Sequence, residues 1–139
     1  MSATYLADSN AFSAYLRGKN ANLTARMQAA IAAGQLRLSV MVLAELEFGA
    51  QKAVRTLGTT HFVAKVDMLK EAFRVDPIGP GFAKAYAQVR DTLEAQGQKI
   101  GDRDTIIAAH ALSLGAIVVS RNMGEFERVP GLKVENWET

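Results

Sequence analysis

The stretch IGDRDTIIAAHALSLGAIVVSRN, Ile100 to Asn122, decides the fold. Asp102 stands where a helix over Arg103–Leu114 needs an N-terminal cap, and Gly115 closes that helix. Ala116–Ser120 follows at once as a continuous apolar run, the pattern of a strand buried on both faces of a parallel sheet. Asp104 falls in the first turn of the helix and Asn122 just past the strand. A helix feeding directly into a buried strand is one half of an α/β unit.

The same alternation extends in both directions. Upstream, Phe82, Tyr86, Val89 and Leu93 mark one helical face, ended by Gly97; Phe62, Val66, Leu69 and Phe73 mark another. Val75 is read as a brief strand before Pro77. Leu36–Leu38 is a strand, after which Ser39 caps a helix through Val42, Leu46 and Ala50. Leu23, Met27, Ala30 and Ile31 form a helical stripe closed by Gly34, and Asn10–Arg17 is a helix stopped at Gly18. Thr4–Ala7 reads as the first strand and ends at Asp8; Lys133–Glu135 reads as a last edge strand. Strands alternating with helices predict an α/β/α sandwich with a central, mostly parallel sheet. No repeat, low-complexity tract or linker interrupts it, so residues 1–139 are expected to form one domain.

Composition narrows the chemistry. The chain has no cysteine, which excludes a disulfide framework, a thiolate zinc site and thiol catalysis. Sixteen basic and fourteen acidic residues give a net charge of +2, so nucleic-acid contact has to come from a local patch. The N-terminal MSATYLADSN lacks the basic and apolar regions of a signal peptide, and no apolar run approaches the ~20 residues of a membrane span. A cytoplasmic protein is the expectation.

In parallel sheets, functional groups gather at the carboxyl ends of the strands. Asp8 ends the first strand, Glu45 lies two turns into the helix after Leu36–Leu38, and Asp104 and Asn122 flank the strand Ala116–Ser120. Clustered carboxylates repel one another unless a cation joins them, and Mg2+ and Mn2+ prefer such hard oxygen ligands. Phosphodiester hydrolysis can then proceed without histidine or cysteine. Each residue also has a plainer role. Asp8 can cap the next helix, and Asp104 can complement a helix dipole, although Asp102 is the better cap. Glu45 sits on a segment apolar enough to be largely buried, with Glu47 about 200° round the helix and solvated. Asn122 and Glu125 have capping-box spacing. His110 is about 240° from Asp104 and reads as a packed or partner-facing residue, and His61 as a surface one. There is no phosphate-binding glycine loop and no nucleophile elbow; Gly79-Pro80-Gly81 is neither.

At these positions the chain resembles PIN-domain proteins, and specifically VapC-type toxins of bacterial toxin–antitoxin pairs. Leu6-Ala7-Asp8-Ser9-Asn10 is similar to that family's L-x-D-[ST]-N, SVMVLAELEFGA (Ser39 to Ala50) to the segment of its second acid, and the chain from Ile100 to Glu138 to its third-acid helix and C-terminal ending. The resemblance covers nearly the whole length. It implies a PIN fold, Mg2+- or Mn2+-dependent cleavage of RNA (transfer RNA among the substrates), a homodimer and a VapB antitoxin, with operator DNA bound only through that antitoxin. By position it makes Asp8, Glu45 and Asp104 the metal-binding acids, with Asn122 completing the catalytic set. An aspartate is common where Asn122 stands. A neutral amide holds a second cation less well, so one or two cations stay open, as does a contribution from Glu125 or Asp102. The implied antitoxin would send an arginine or lysine into the acidic pocket, with the Leu23–Ile31 stripe and the segment around Phe48 as a docking groove.

Two other functions fit an acidic pocket. A phosphotransfer module, receiver or phosphatase, would also use Mg2+ at strand ends. However, Asp8-Ser9-Asn10 lacks the second aspartate of a D-x-D phosphatase, and no lysine follows a late strand as in a receiver. A non-catalytic binding protein of PIN ancestry would not need Asp8, Glu45 and Asp104 intact.

Overall fold

A computed structural model describes residues 3–139. The order of elements is β1 (Tyr5–Ala7), α1 (Ser9–Arg17), α2 (Ala21–Ala32), β2 (Leu36–Ser39), α3 (Val40–Leu57), α4 (His61–Ala72), β3 (Val75–Asp76), α5 (Pro80–Ala95), α6 (Asp102–Leu114), β4 (Ile117–Val119), α7 (Met123–Phe126) and β5 (Val134–Glu135). The five strands form one sheet in the order β3-β2-β1-β4-β5, and every adjacent pair is parallel. The expected sandwich is therefore present, with a sheet that is wholly rather than mostly parallel.

Right-handed crossovers place α1–α4 on one face, since they join strands stepping one way, and α5–α7 on the other, since they step back. The packing agrees: α1 lies on α2 and α3, and α3 on α4, while α6 lies on α5 and α7. Leu6, Leu38 and Val118, one from each central strand, have no exposed surface. Trp137 closes the C-terminal side, packed edge-on against Tyr5 at 4.9 Å between ring centroids.

Local signals act largely as expected. Ser39 accepts the Met41 N–H at 3.1 Å and starts α3, and Asn20 accepts the Leu23 N–H at 2.9 Å and starts α2. Gly18 ends α1 in the left-handed region at φ 66°, which a side chain would oppose. The exception is α6. Gly101 is its N-cap and no side chain caps it; Asp102 is the first helical residue and exposed, not the cap. Gly101 supplies the extended backbone there, and an acid in the first turn still complements the helix dipole.

The strand order reverses at β1. From it the chain steps through β2 to β3 on one side, and β4 returns to the other side. A crevice opens beyond the carboxyl ends of strands at such a switch point. Asp8 leaves β1 there and Ser120 leaves β4 there, joined by the Asp8 N–H donating to the Val119 carbonyl at 3.0 Å.

Candidate active site

Asp8 is only 5% exposed, and both of its carboxylate oxygens are engaged. Oδ1 accepts the Ala11 N–H at 2.8 Å and so caps α1; Oδ2 accepts the Ser120 hydroxyl at 2.6 Å. Capping and a site role are thus not alternatives for Asp8, because a carboxylate has lone pairs for both. Burial raises its pKa, opposed by the Ser120 and Ala11 hydrogen bonds and by the Arg121 charge.

Ser120 links Asp8 to the rest of the site. Its hydroxyl oxygen accepts the Asn122 N–H at 2.9 Å while its proton goes to Asp8. The Asn122 side-chain amide then donates to Asp104 Oδ2 at 2.7 Å and to Glu125 Oε2 at 3.1 Å. The capping box expected of Asn122 and Glu125 does not form. Asn122 precedes α7 but its side-chain oxygen caps nothing: the amide is turned to the two acids, and the backbone N–H that a capping box would give to Glu125 goes to Ser120.

Asp104 has its pKa raised to about 7, first by burial and then by the adjacent Glu125 carboxylate, with Asn122 opposing. Glu125 moves the other way, chiefly through the hydrogen bond from Asp104. The opposite shifts describe one proton held between two acids. Burial pushes Asp104 up and the Asp104 hydrogen bond pulls Glu125 down, so the two acids titrate as a pair.

Glu45 stands to one side. Its side chain is 27% exposed, so most of it is covered, as expected. It accepts the Ser9 hydroxyl at 3.2 Å and pairs with Arg103 at 3.3 Å. Glu47 points away and pairs with Lys70 at 3.4 Å. Ser9 follows Asp8, and Arg103 precedes Asp104, so both contacts tie Glu45 to the acids at the switch point.

The fold therefore brings Asp8, Asp104 and Asn122 into one hydrogen-bonded chain and sets Glu45 beside it. It adds Ser120, Glu125, Ser9 and Arg103. Of these, Ser120 was the hardest to read in advance. A serine ending an apolar strand carries no signal until the register places it beside Asp8. Asp102 stays outside the chain of contacts and faces solvent. Among the described residues, no three acidic or histidine side chains already stand as a ready-made metal cage. The donor chemistry still fits a divalent cation: the groups are hard oxygens, and Asp104 and Glu125 retain a proton that a cation would replace.

A cluster of hydrogen-bonded acids at the strand-order reversal of a parallel sheet defines a class, and the chain belongs to the PIN domain family: that family's model matches residues 5–132. Within it, the chain groups with the VapC ribonucleases. It is 36% identical over 105 residues to "Ribonuclease VapC2" of Haemophilus influenzae, an alignment covering 76% of this chain and 77% of that one. It is 33% identical over 137 residues to "tRNA(fMet)-specific endonuclease VapC" of Shigella flexneri, covering 96% and 97%. Among solved structures, VapBC2 from Rickettsia felis bound to a DNA fragment from its promoter superposes with a TM-score of 0.85 at 26% identity, covering 96% of this chain and 98% of that one.

Proposed function

We propose that this chain is the toxin of a toxin–antitoxin pair and cleaves RNA as a Mg2+- or Mn2+-dependent endoribonuclease in the cytoplasm. The single observation that carries the proposal is the chain of contacts from Asp8 through Ser120 and Asn122 to Asp104 and Glu125, at the switch point of a PIN sheet. When bound, the cation would stabilise charge on the scissile phosphate and make a water more acidic. Asp8 and Asp104 are the residues assigned to hold it. Each supplies a hard oxygen, and Asp104 gives up its proton to do so. Glu45 holds the attacking water and takes its proton, a role open to a carboxylate that is partly exposed beside the acids. Asn122 presents an amide N–H that can turn from the acids to a phosphate oxygen, and Ser120 keeps Asp8 and Asn122 in register.

Transfer RNA is the favoured substrate, because a relative alignable over 96% of this chain is named for it. A phosphotransfer role is less favoured: Asp8-Ser9-Asn10 lacks the second aspartate of a D-x-D phosphatase, and the chain groups with ribonucleases. Among the described residues no helix is long and apolar enough to cross a membrane.

The partner we assign is a VapB-type antitoxin, with the toxin itself a homodimer and operator DNA reached only through the antitoxin. Structural relatives titled as VapBC complexes, some DNA-bound, support this. So does the surface. Of the expected groove, Leu23, Met27 and Ala30 are buried in the core, whereas Ile31 reaches the surface and Phe48 is exposed beside Glu45. A groove begins at Ser9 and Glu45 and runs over Arg17, Leu46 and Phe62 between α1, α3 and α4. A second, sharing Leu16, continues past Ile31, Met68 and Phe73. An antitoxin tail lying there would reach Glu45 with a basic side chain.

The experiment is to sequence RNA 5′ and 3′ ends after brief expression of the wild type and of Asp104→Asn. Discrete new ends in the wild type, absent from the variant, are expected. Identical end profiles would reject the ribonuclease assignment.

A further inference from the structure

His110 is a buried titratable residue that the proposed chemistry does not use. It is 1% exposed, on α6 six residues after Asp104. Its Nδ1 lies 2.8 Å from the Ser39 hydroxyl oxygen. That oxygen already accepts the Met41 N–H and so caps α3, the helix of Glu45. Ser39 therefore has its proton free to donate to Nδ1, which leaves the ring hydrogen on Nε2. Burial lowers the pKa of His110, opposed by the Asp76 charge and by the Pro77 backbone, while Arg37, itself paired with Asp76, adds to the lowering. Phe82 of α5 meets the ring edge-on at 6.0 Å between centroids.

Nε2 is buried without a partner of hydrogen-bond geometry. An apolar side chain of similar volume would fill the same space without stranding a ring N–H, so packing alone does not call for histidine here. Histidine adds the bond to Ser39 on one side and, on the other, an interaction with the Pro77 backbone in the β3–α5 connection; of the two, only the Ser39 bond reaches the start of α3. That bond joins α6, which carries Asp104, to the first turn of α3, which carries Glu45.

We infer that His110 is a positioning residue: through Ser39 it fixes the start of α3 against α6 and so sets the placement of Glu45 relative to Asp104. The kinetic part of the test rests on the ribonuclease reading. The structural part does not.

The test compares His110→Phe, which keeps volume, with His110→Asn, whose Oδ1 stands near the Nδ1 position and can accept from Ser39. Ser39→Ala removes the other partner with a smaller change. RNA cleavage by metal-loaded protein is measured for each, alone and combined with Glu45→Gln, and amide exchange of Met41 is followed in metal-free protein. His110→Phe and Ser39→Ala are each expected to lower kcat by about ten- to a hundredfold with KM little changed. Their double variant should be no worse than either. His110→Asn should recover most of kcat, and in the Glu45→Gln background His110→Phe should cost nothing further. Met41 exchange should accelerate in His110→Phe and Ser39→Ala and stay near wild type in His110→Asn. Full kcat in His110→Phe, equal loss in Phe and Asn, or an undiminished loss in the Glu45→Gln background would overturn the inference. If His110→Phe fails to fold, His110→Leu against His110→Asn, alone and with Glu45→Gln, decides by the same criteria. If the wild type cleaves no RNA, the ribonuclease reading falls, and unchanged Met41 exchange in Ser39→Ala and His110→Phe would overturn the positioning claim separately.

Discussion

Asp104 carries the clearest electrostatic signature of the site, and its sign can be checked. Its pKa in the fold is about 7, against an ordinary 3.8. The native state therefore binds more protons than the unfolded chain between those values, and stability from this group is present at low pH and lost as pH rises. Relative to Asp104→Asn, the metal-free wild type should lose thermal stability from about pH 4 to pH 7, and Mg2+ should restore it at pH 7. Melting curves of both proteins across that window are the check; a constant difference would mean that Asp104 is not holding a proton. Glu45 and Glu47 offer a second comparison, since one pairs with Ser9 and Arg103 beside the acids and the other with Lys70 away from them. Glu45→Gln should reduce cleavage by roughly a hundredfold or more, the range of a lost general base, while Glu47→Gln keeps most of it. Equal losses would show that Glu45 has no special place.

At the scale of elements, much was legible because each boundary has its own local cause. Ser39 before an apolar stripe, Gly18, Gly34, Gly97 and Gly115 after one, and the run Ala116–Ser120 are signals that act within a few residues. The start of α6 was misread because Asp102 is a good capping residue in isolation, and nothing local says that the extended backbone falls on Gly101 instead. Asn122 and Glu125 could be read two ways, as a cap or as part of the site. Their spacing suits a cap, but Asp104, eighteen residues earlier, competes for the same amide. The Leu23–Ile31 stripe is open in the sequence between core and partner because an apolar stripe looks the same either way, and Leu23 and Met27 face the core. The groove between α1, α3 and α4 has a measurable consequence. Changing the terminal basic residue of a cognate antitoxin tail to alanine should relieve inhibition more than it weakens binding, since apolar docking persists while Glu45 and its neighbours are freed. Undiminished inhibition by that tail, in a cleavage assay run beside a binding titration, would mean the block is steric.

For the whole molecule, the acids at positions 8, 45 and 104 could be read from strand ends and from resemblance to PIN-domain toxins, but their wiring could not. It depends on strand order, which puts β1 next to β4 and so Asp8 next to Ser120, a contact between residues 112 positions apart. The central claim is that this assembled acid chain holds a divalent cation to cleave RNA. Cleavage of transfer RNA by the purified protein, with Mg2+ or Mn2+ and then with excess EDTA, tests it most directly, with Asp8→Asn as a companion. That substitution keeps a side-chain oxygen to cap α1 while removing the charge. Metal-dependent cleavage that EDTA abolishes, and that folded Asp8→Asn lacks, is the predicted result; full cleavage in excess EDTA would contradict it.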